Sequence, residues 1–329
     1  MLKEKVLKTI KKYKLIEQND RIVCGVSGGP DSVCMLDILR RIKDENQIKL
    51  DIIVCHINHM IREEATDDEQ YVENYCKKYS IPFYAKRIDV KKQAENNKKG
   101  TEETGRNIRY EFFEEIFQKE KATKIAIAHN KNDKIETIIM NVFRGSGILG
   151  LRGIEPIRDN KFIRPLIECE RIEIEKYCEE NSLNPRIDKT NFINDVTRNI
   201  IRNIVIPYIK DEFNPNFINT LDRLSNVITE EDEYMKKRTI EVYNEIRIQE
   251  KESYIVLDLK EFNKQEEVIR KRLIIYTIAQ TIGSAQNIEK VNIEDIIKLC
   301  SNNIGNKYLT PNKNIKISVG KGQVIFEKL

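Results

Sequence analysis

A short segment rich in serine and glycine has the residue types needed to hold an anion. Residues 27–32 follow an apolar run at 21–26 (RIVCGV) that predicts a strand buried on both faces. A helix is predicted to begin at Pro30, because proline is well tolerated in a first helical turn. Backbone N–H groups, two hydroxyls and a helix N-terminus then converge on one turn, which predicts a phosphate site. Its residues are Ser27, Gly28, Gly29, Pro30, Asp31 and Ser32.

The segment matches neither the Walker loop nor the glycine fingerprint of dinucleotide-binding proteins. An ordinary corner between a strand and a helix also accepts two glycines and a proline. Such a corner has no need of a serine at each end and an aspartate inside, so we favour the phosphate site.

Acidic residues follow another predicted strand, 124–128 (KIAIA). Asp133 and Glu136 lie three residues apart, so they share one face of the helix predicted to follow that strand. Alone, the pair is typical of an acidic first helical turn, which the helix dipole favours. Ligands of open α/β sheets bind outside the carboxyl ends of the strands, so this position also suits a binding site.

All three histidines of the chain lie after predicted strands. His56 and His59 come at the end of the strand 50–57 (LDIIVCHI), and His129 follows the strand 124–128. A single histidine at such a place is a satisfied core or turn residue as often as it is a functional one. The set of three favours a functional site, because histidine can act as an acid, a base or a ligand near neutral pH. The chain has no H-x-x-x-H pair, so we do not predict zinc.

Five arginines lie near these segments, and any one of them alone is best read as an ordinary solvated cation. Together they supply planar donors suited to phosphates. Two of them are spaced four apart on a predicted helix, 197–209, which we expect Pro207 to end. The five are Arg106, Arg109, Arg144, Arg198 and Arg202.

Composition limits the function classes. The chain has 329 residues, with 40% hydrophobic and 33% charged residues, as expected for about two globular domains. The net charge of +4 is small against 57 basic and 53 acidic residues, so any basic surface for nucleic acid must be local. Seven scattered cysteines without a C-x-x-C pair speak against a cysteine-held zinc or iron–sulfur site. The sequence has no long apolar stretch and no recognisable signal peptide, so we expect a cytoplasmic protein without a membrane anchor.

Alternating strand and helix patterns in the first part predict an α/β fold, a doubly wound and mostly parallel sheet. We expect a catalytic domain at 1–215, a helical linker at 216–250 and a smaller C-terminal α/β domain at 251–329. Alternating apolar residues at 315–319 and the return at 324–326 predict a hairpin near the end.

The segments resemble a known family in order and spacing. The SGGPDS loop resembles that of the N-type ATP pyrophosphatases of the PP-loop superfamily, and further motifs resemble tRNA(Ile)-lysidine synthetases. Asn132 stands where a second aspartate is frequent, and Gly105 where alanine is usual. The matching segments are 56–62 (HINHMIR), 106–110 (RNIRY), 128–137 (AHNKNDKIET), 144–151 (RGSGILGL), 164–166 (RPL), Asp188 with Asn191, and Arg198-Asn199 with Arg202.

The resemblance implies an adenine nucleotide alpha hydrolase-like fold, ATP as a substrate and Mg²⁺ held by Asp31. It implies that lysine is joined to C2 of the wobble cytidine in the CAU anticodon of tRNA(Ile) through an adenylated cytidine, which changes codon reading from AUG to AUA. The partners implied are that tRNA, met by the C-terminal domain, and free L-lysine. A homodimer and the absence of a final family domain stay open.

The resemblance also implies roles for single residues. Catalysis is expected of Asp31, Asp133 and Glu136, and the last two are expected to meet either the ammonium group of free lysine or Mg²⁺ beside ATP. Nucleotide binding is expected of Ser27, Gly28, Gly29, Pro30, Asp31, Ser32, His56, Arg109 and His129. Lysine or tRNA binding is expected of Asp133, Glu136, Arg144, Arg198 and Arg202. The alternatives are another PP-loop enzyme that modifies tRNA, such as a cytidine thiolase, a small-molecule amidating ligase, or an RNA-binding protein without catalysis.

Overall fold

The computed structural model of the chain describes residues 1–60, 65–97, 100–186, 196–286, 288–302 and 307–329. These residues form two compact units, Met1–Asn226 and Val227–Leu329. The boundary falls inside the helix Phe217–Ile246, within the segment predicted as a helical linker. No helix of the described ranges has the length and apolar character needed to cross a bilayer.

The first unit alternates strands and helices. In chain order its elements are α1 Leu2–Tyr13, β1 Asp20–Gly25, α2 Pro30–Asp44, β2 Leu50–Asn58, α3 Ala65–Lys78, β3 Phe83–Arg87, α4 Val90–Asn97, α5 Thr101–Lys119, β4 Lys124–Ala126, α6 Lys131–Phe143, α7 Ile148–Leu151, β5 Ile157–Arg158, β6 Phe162–Ile163, α8 Arg171–Glu180, α9 Thr197–Ile200, a π-helical turn Ile201–Val205, and α10 Ile206–Glu212. Helix α11, Phe217–Ile246, follows.

The order of the strands in the first sheet determines where a ligand site can form. The order is β3-β2-β1-β4-β6-β5, and neighbours run parallel except β5 and β6. From β1 the chain moves to β2 and β3 on one side, and it reaches β4 on the other side later. The loops that leave β1 and β4 therefore diverge and open a crevice at the carboxyl ends of these strands.

Strand β1 is buried because its side chains alternate between two apolar cores. Ile22 and Cys24 belong to the cluster that includes residues of α1, α2 and α8. Val23 belongs to the cluster on the other face, with Phe112 and Phe113 of α5. Helices cover both faces of the sheet, which confirms the predicted doubly wound, mostly parallel fold.

The prediction that Pro207 ends its helix is wrong. Helix α9 continues through the π-helical turn into α10, and Pro207 lies in the first turn of α10. In the wide turn the N–H of Ile206 donates to the carbonyl oxygen of Ile201, five residues back. Proline is tolerated where a helical segment begins because its missing N–H is not needed there.

The second unit is built on an antiparallel sheet. Its elements after α11 are β7 Arg247–Lys251, β8 Tyr254–Asp258, α12 Leu259–Lys264, α13 Glu267–Ile282, α14 Lys290–Asn302, β9 Lys307–Asn312, β10 Ile315–Gly320 and β11 Gln323–Lys328. The strand order is β7-β8-β11-β10-β9. Strands β10 and β11 pair as the predicted hairpin, and Ile315, Ile317 and Val319 point into the core of the unit. That this unit recognises tRNA stays a prediction.

Candidate active site

The loop after β1 is held in shape by its two serines. The Ser32 hydroxyl oxygen accepts the N–H of Ser27 at 3.1 Å and donates to the Gly29 carbonyl oxygen at 3.0 Å. The two hydroxyl oxygens lie 3.2 Å apart. Gly28 has φ +93°, a left-handed conformation that other residues rarely adopt, so this position requires glycine.

Helix α2 begins directly at this loop. Gly29 is its N-cap in an extended conformation, and Pro30 lies in its first turn, as predicted. The free N–H groups and the positive end of the helix dipole therefore lie next to Ser27 and Ser32, the arrangement that favours a phosphate. Behind the loop, a β-carbon on Gly25 would lie 2.4 Å from the ring of Phe113, so the strand also needs glycine where it meets α5.

A cavity of about 1030 Å³ opens in front of the loop, large enough for a nucleotide. The ends of β2 and β4 contribute to its wall, and residues of α8 and the π-helical turn close it on another side. Of the predicted site residues, Ser27, Gly29, Pro30, Asp31, Ser32, His56, Arg109, His129 and Arg202 line this cavity. His59 and Arg171 line it as well.

The carboxylate of Asp31 lies in an environment that disfavours its charge. Burial and the nearby Asp133 raise the pKa of Asp31 to about 6. The side-chain amide of Asn130 donates to Asp31 Oδ1 at 2.8 Å. A cation at the remaining carboxylate oxygen would relieve the cost of this buried charge. One carboxylate beside a phosphate loop is also a usual way for proteins to hold Mg²⁺, so Asp31 fits the predicted metal ligand.

The acidic pair on α6 is already matched by an arginine. Glu136 is 1% exposed, and its two carboxylate oxygens accept hydrogen bonds from Arg202 at 2.6 and 2.8 Å. Arg202 also donates to Asp133 Oδ1 at 3.2 Å. Burial raises the pKa of Glu136, and the hydrogen bonds from Arg202 oppose that shift. Arg202 lines the cavity, and it therefore separates the pair from a ligand in this conformation.

The three other arginines with predicted substrate or nucleotide contacts lie in different places. Arg198 donates to the hydroxyl of Thr137 on α6 at 3.0 Å. Arg109 lies 3.5 Å from Nε2 of His59 in the cavity wall. Arg144 is exposed at the end of α6 and is not among the residues that line the cavity. Arg198 and Arg202 thus both face α6, and their predicted contact with tRNA stays a prediction.

Each cavity histidine has one ring nitrogen engaged. Nδ1 of His56 lies 2.9 Å from the carbonyl oxygen of Val26, and Nδ1 of His129 lies 3.3 Å from Nε of Arg164. Burial lowers the pKa of His129 to about 4. Burial and the positive charge of Arg109 lower the pKa of His59 to about 4. The histidines are therefore neutral near pH 7.

Several residues of the site were not identified as functional from the sequence. Asn130 caps α6: its side chain accepts the N–H of Asp133, whose carboxylate accepts the N–H of Asn130. An asparagine three residues before an acidic residue is a recognised helix start, so this signal was available. Asn132 accepts the N–H of Arg171 at the start of α8. Arg164 appeared only as part of a motif. The predicted motif residues Arg62, Asp188 and Asn191 lie outside the described residues.

Comparison with known proteins agrees with this geometry. The PP-loop domain family matches residues 2–209. A tRNA(Ile)-lysidine synthase of Clostridioides difficile is 43% identical over 326 residues, which cover 99% of this chain and 70% of that protein. The tRNA(Ile)-lysidine synthase of Clostridium acetobutylicum is 44% identical over 308 residues, which cover 93% of this chain and 66% of that protein.

A solved structure shares the fold. The U34-tRNA thiolase NcsA of Methanococcus maripaludis has a TM-score of 0.57 and 22% identity, over 69% of this chain and 78% of that chain. At this identity the likeness shows the fold alone. The chain spans 66 to 70% of the length of the two lysidine synthases compared above. With more than 40% identity to them along nearly all of its own length, the chain belongs to the tRNA(Ile)-lysidine synthase family of PP-loop proteins.

Proposed function

We propose that the chain uses ATP to join lysine to C2 of the wobble cytidine in the CAU anticodon of tRNA(Ile). The observation that carries the proposal is the cavity at the switch point of the sheet, which is lined by the phosphate loop with Asp31 and by Arg202, the partner of the acidic pair on α6. Membership of the lysidine synthase family supports the choice of substrates. The reaction takes place in the cytoplasm, where the tRNA is.

The first step activates the base. The C2 oxygen of the cytidine attacks the α-phosphorus of ATP, an O–P bond forms, and the bond to the β-phosphate oxygen breaks to release pyrophosphate. The N–H groups of the loop and the start of α2 stabilise the charge that grows on the pyrophosphate, because they already point to where it forms. Ser32 keeps the loop in that shape through its bonds to Ser27 and Gly29.

Asp31 is the residue that would hold Mg²⁺, which shares the negative charge of the phosphates when it is bound. The protein's own contribution is to keep Asp31 in place. Asn130, the cap of α6, does this with one amide hydrogen bond. The loop of β1 and the start of α6 are thereby linked.

The second step forms the new bond. The side-chain amine of lysine attacks C2, a C–N bond forms, and the C–O bond to the adenylate breaks to release AMP. The amine has an ordinary pKa near 10.4 and must first lose a proton. Once Arg202 moves aside, Asp133 and Glu136 hold the ammonium group, and Glu136, whose pKa is raised by burial, takes the proton that the amine loses. A homodimer stays a prediction.

Transfer of labelled lysine tests the proposal. The chain is mixed with ATP, Mg²⁺, radiolabelled lysine and unmodified tRNA transcripts that differ in their anticodons. We expect label only in the isoleucine tRNA with the CAU anticodon, together with release of pyrophosphate and AMP. Pyrophosphate release with another acceptor, and no lysine in any tRNA, would contradict the proposal.

The cysteines argue against the thiolase alternative. All seven are buried and free. Cys55 lines the cavity, but burial raises its pKa to about 12, which leaves almost no thiolate near pH 7. A sulfur carrier needs a reactive thiolate, so Cys55 is suited to packing.

A further inference from the structure

Two histidines in the cavity have opposite hydrogen-bond partners at the same ring position. Nδ1 of His56 faces a carbonyl oxygen, that of Val26, at 2.9 Å. A carbonyl oxygen only accepts, so this Nδ1 carries the proton, and Nε2 of the neutral ring is left as an acceptor. Among the described residues, no hydrogen bond ends on Nε2 of His56.

His129 faces a donor instead. Nε of Arg164 lies 3.3 Å from its Nδ1, and an arginine side chain has no acceptor. Nδ1 of His129 therefore holds a lone pair, and the proton of the neutral ring lies on Nε2. No hydrogen bond to another described residue ends on this Nε2 either, and the ring lines the cavity.

Arg164 is fixed well enough to impose this choice. It is 5% exposed. Its guanidinium donates to the carbonyl oxygen of Glu155, and its backbone N–H donates to that of Pro156 at 2.9 Å. The other charged groups that act on the ring are Asp133, Arg198 and Arg106. Arg164 is the one among these groups that contacts Nδ1 of the ring, at 3.3 Å.

The position of His129 indicates the acceptor for its free N–H. The next residue, Asn130, bonds Asp31 of the phosphate loop at 2.8 Å, and His129 and the loop line the same cavity. We propose that Arg164 is a positioning residue that holds His129 in the neutral tautomer with its proton on Nε2, so that His129 donates a hydrogen bond to a phosphate oxygen of bound ATP. His129 is then a donor and not the base that takes the proton of the lysine amine.

Nuclear magnetic resonance of the full chain labelled with ¹⁵N-histidine tests the tautomers directly, since the chain has three histidines. Both rings are expected to be neutral between about pH 6 and 8. In that range we expect the proton on Nε2 of His129 and on Nδ1 of His56. The Arg164→Met variant should mix the tautomers of His129 and leave the His56 signals in place. The control is Arg158→Met, because Arg158 stacks on Tyr110 and Phe162 instead. A proton on Nδ1 of His129, or an unchanged His129 signal in Arg164→Met, overturns the inference.

Amide substitutions give a second test if Arg164→Met does not fold. Glutamine places an N–H near the Nε2 position of histidine, whereas asparagine places one near Nδ1. The inference rests on the proposed function here, so pyrophosphate release with tRNA is the readout. We expect His129→Gln to lower the rate of pyrophosphate release by less than about tenfold. His129→Asn should lower it by about a hundredfold, which is the usual effect of a lost hydrogen-bond donor. Equal losses contradict the donor role. If the wild-type chain transfers no lysine, the proposed function fails, and the resonance experiment still decides the tautomers.

Discussion

The phosphate loop lines the cavity, whereas the acidic pair of α6 is bonded to Arg202, which lines it, and the two are built in different ways. The loop is stabilised by bonds among Ser27, Gly29 and Ser32, all within five residues of each other. The acidic pair depends on Arg202, which is 66 residues from Glu136 along the chain. The loop is thus a local backbone site, while the pair is a balance of buried charges that needs a distant helix. Damage to the loop should affect chemistry first, and damage to the pair should affect stability as well.

The largest effect is expected at Asp31. The Asp31→Ala variant should lower the rate of pyrophosphate release by about a thousandfold, because the site loses the carboxylate beside the phosphates. Binding of tRNA should stay close to normal. The control is Asp44→Ala at the other end of α2, where the carboxylate is 54% exposed and pairs with Arg40. Persistent turnover with a collapse of tRNA affinity would show that the role of Asp31 is assigned wrongly.

A double-mutant cycle on Glu136 and Arg202 tests the charge balance. Glu136→Ala should lower the free energy of unfolding by about 3 kcal/mol, because it leaves Arg202, whose side chain is only 18% exposed, without its main partner. The double variant should be less damaging than the sum of the single ones. In the same cycle on Arg87 and Glu69, where Arg87 is 61% exposed, we expect a coupling below about 1 kcal/mol. If the coupling energy of Glu136 and Arg202 were as small as that of Arg87 and Glu69, the acidic pair would not depend on Arg202 for stability, and it would not differ from the loop in this respect.

The pH dependence of stability should report on His129. Its pKa is lowered from 6.5 to about 4 in the folded chain, mainly by burial. Between these values the unfolded chain binds a proton that the folded chain does not, so stability falls as the pH drops below about 6.5. At pH 5 this costs about 2 kcal/mol relative to pH 8. The His129→Gln variant should lose that much less stability between pH 8 and 5 in urea unfolding. An identical loss in both proteins would mean that His129 is protonated in the folded state.

The smallest effect is expected in the loop backbone. Gly28→Ala should lower the free energy of unfolding by about 1 kcal/mol, because φ +93° strains any residue with a β-carbon. ATP binding should weaken too. Gly147→Ala is the matched control, since Gly147 has φ −69° and open space around its missing β-carbon. Equal stability of the two variants would mean that the loop relaxes without cost.

The local parts of the site were predictable from the sequence. A buried strand, a proline at the start of α2 and the serine-glycine turn are set by neighbouring residues, and the structure has them as predicted. The shared face of Asp133 and Glu136 follows from helical spacing. Sequence spacing gave no means of choosing Arg202 as their partner among several arginines.

Other features depend on contacts between distant segments. The tautomer of His129 is set by Arg164, which directly follows β6 and lies 35 residues further along the chain. Strands β5 and β6 have two residues each, too few for a periodic pattern. The helix continues through Pro207 because a π-helical turn precedes it, and no residue pattern in the sequence predicts that turn. These features could be identified only from the three-dimensional structure, because they depend on contacts between segments that are distant in the sequence.

A crystal structure with a non-hydrolysable ATP analogue and Mg²⁺ would show whether the loop after β1 binds the triphosphate. We predict that the β- and γ-phosphates lie on the loop of residues 27–32, at the N–H groups of Gly28, Gly29, Asp31 and Ser32, with the metal ion against Asp31. A nucleotide bound elsewhere, with this loop empty, would contradict the assignment of residues 27–32 as the phosphate site.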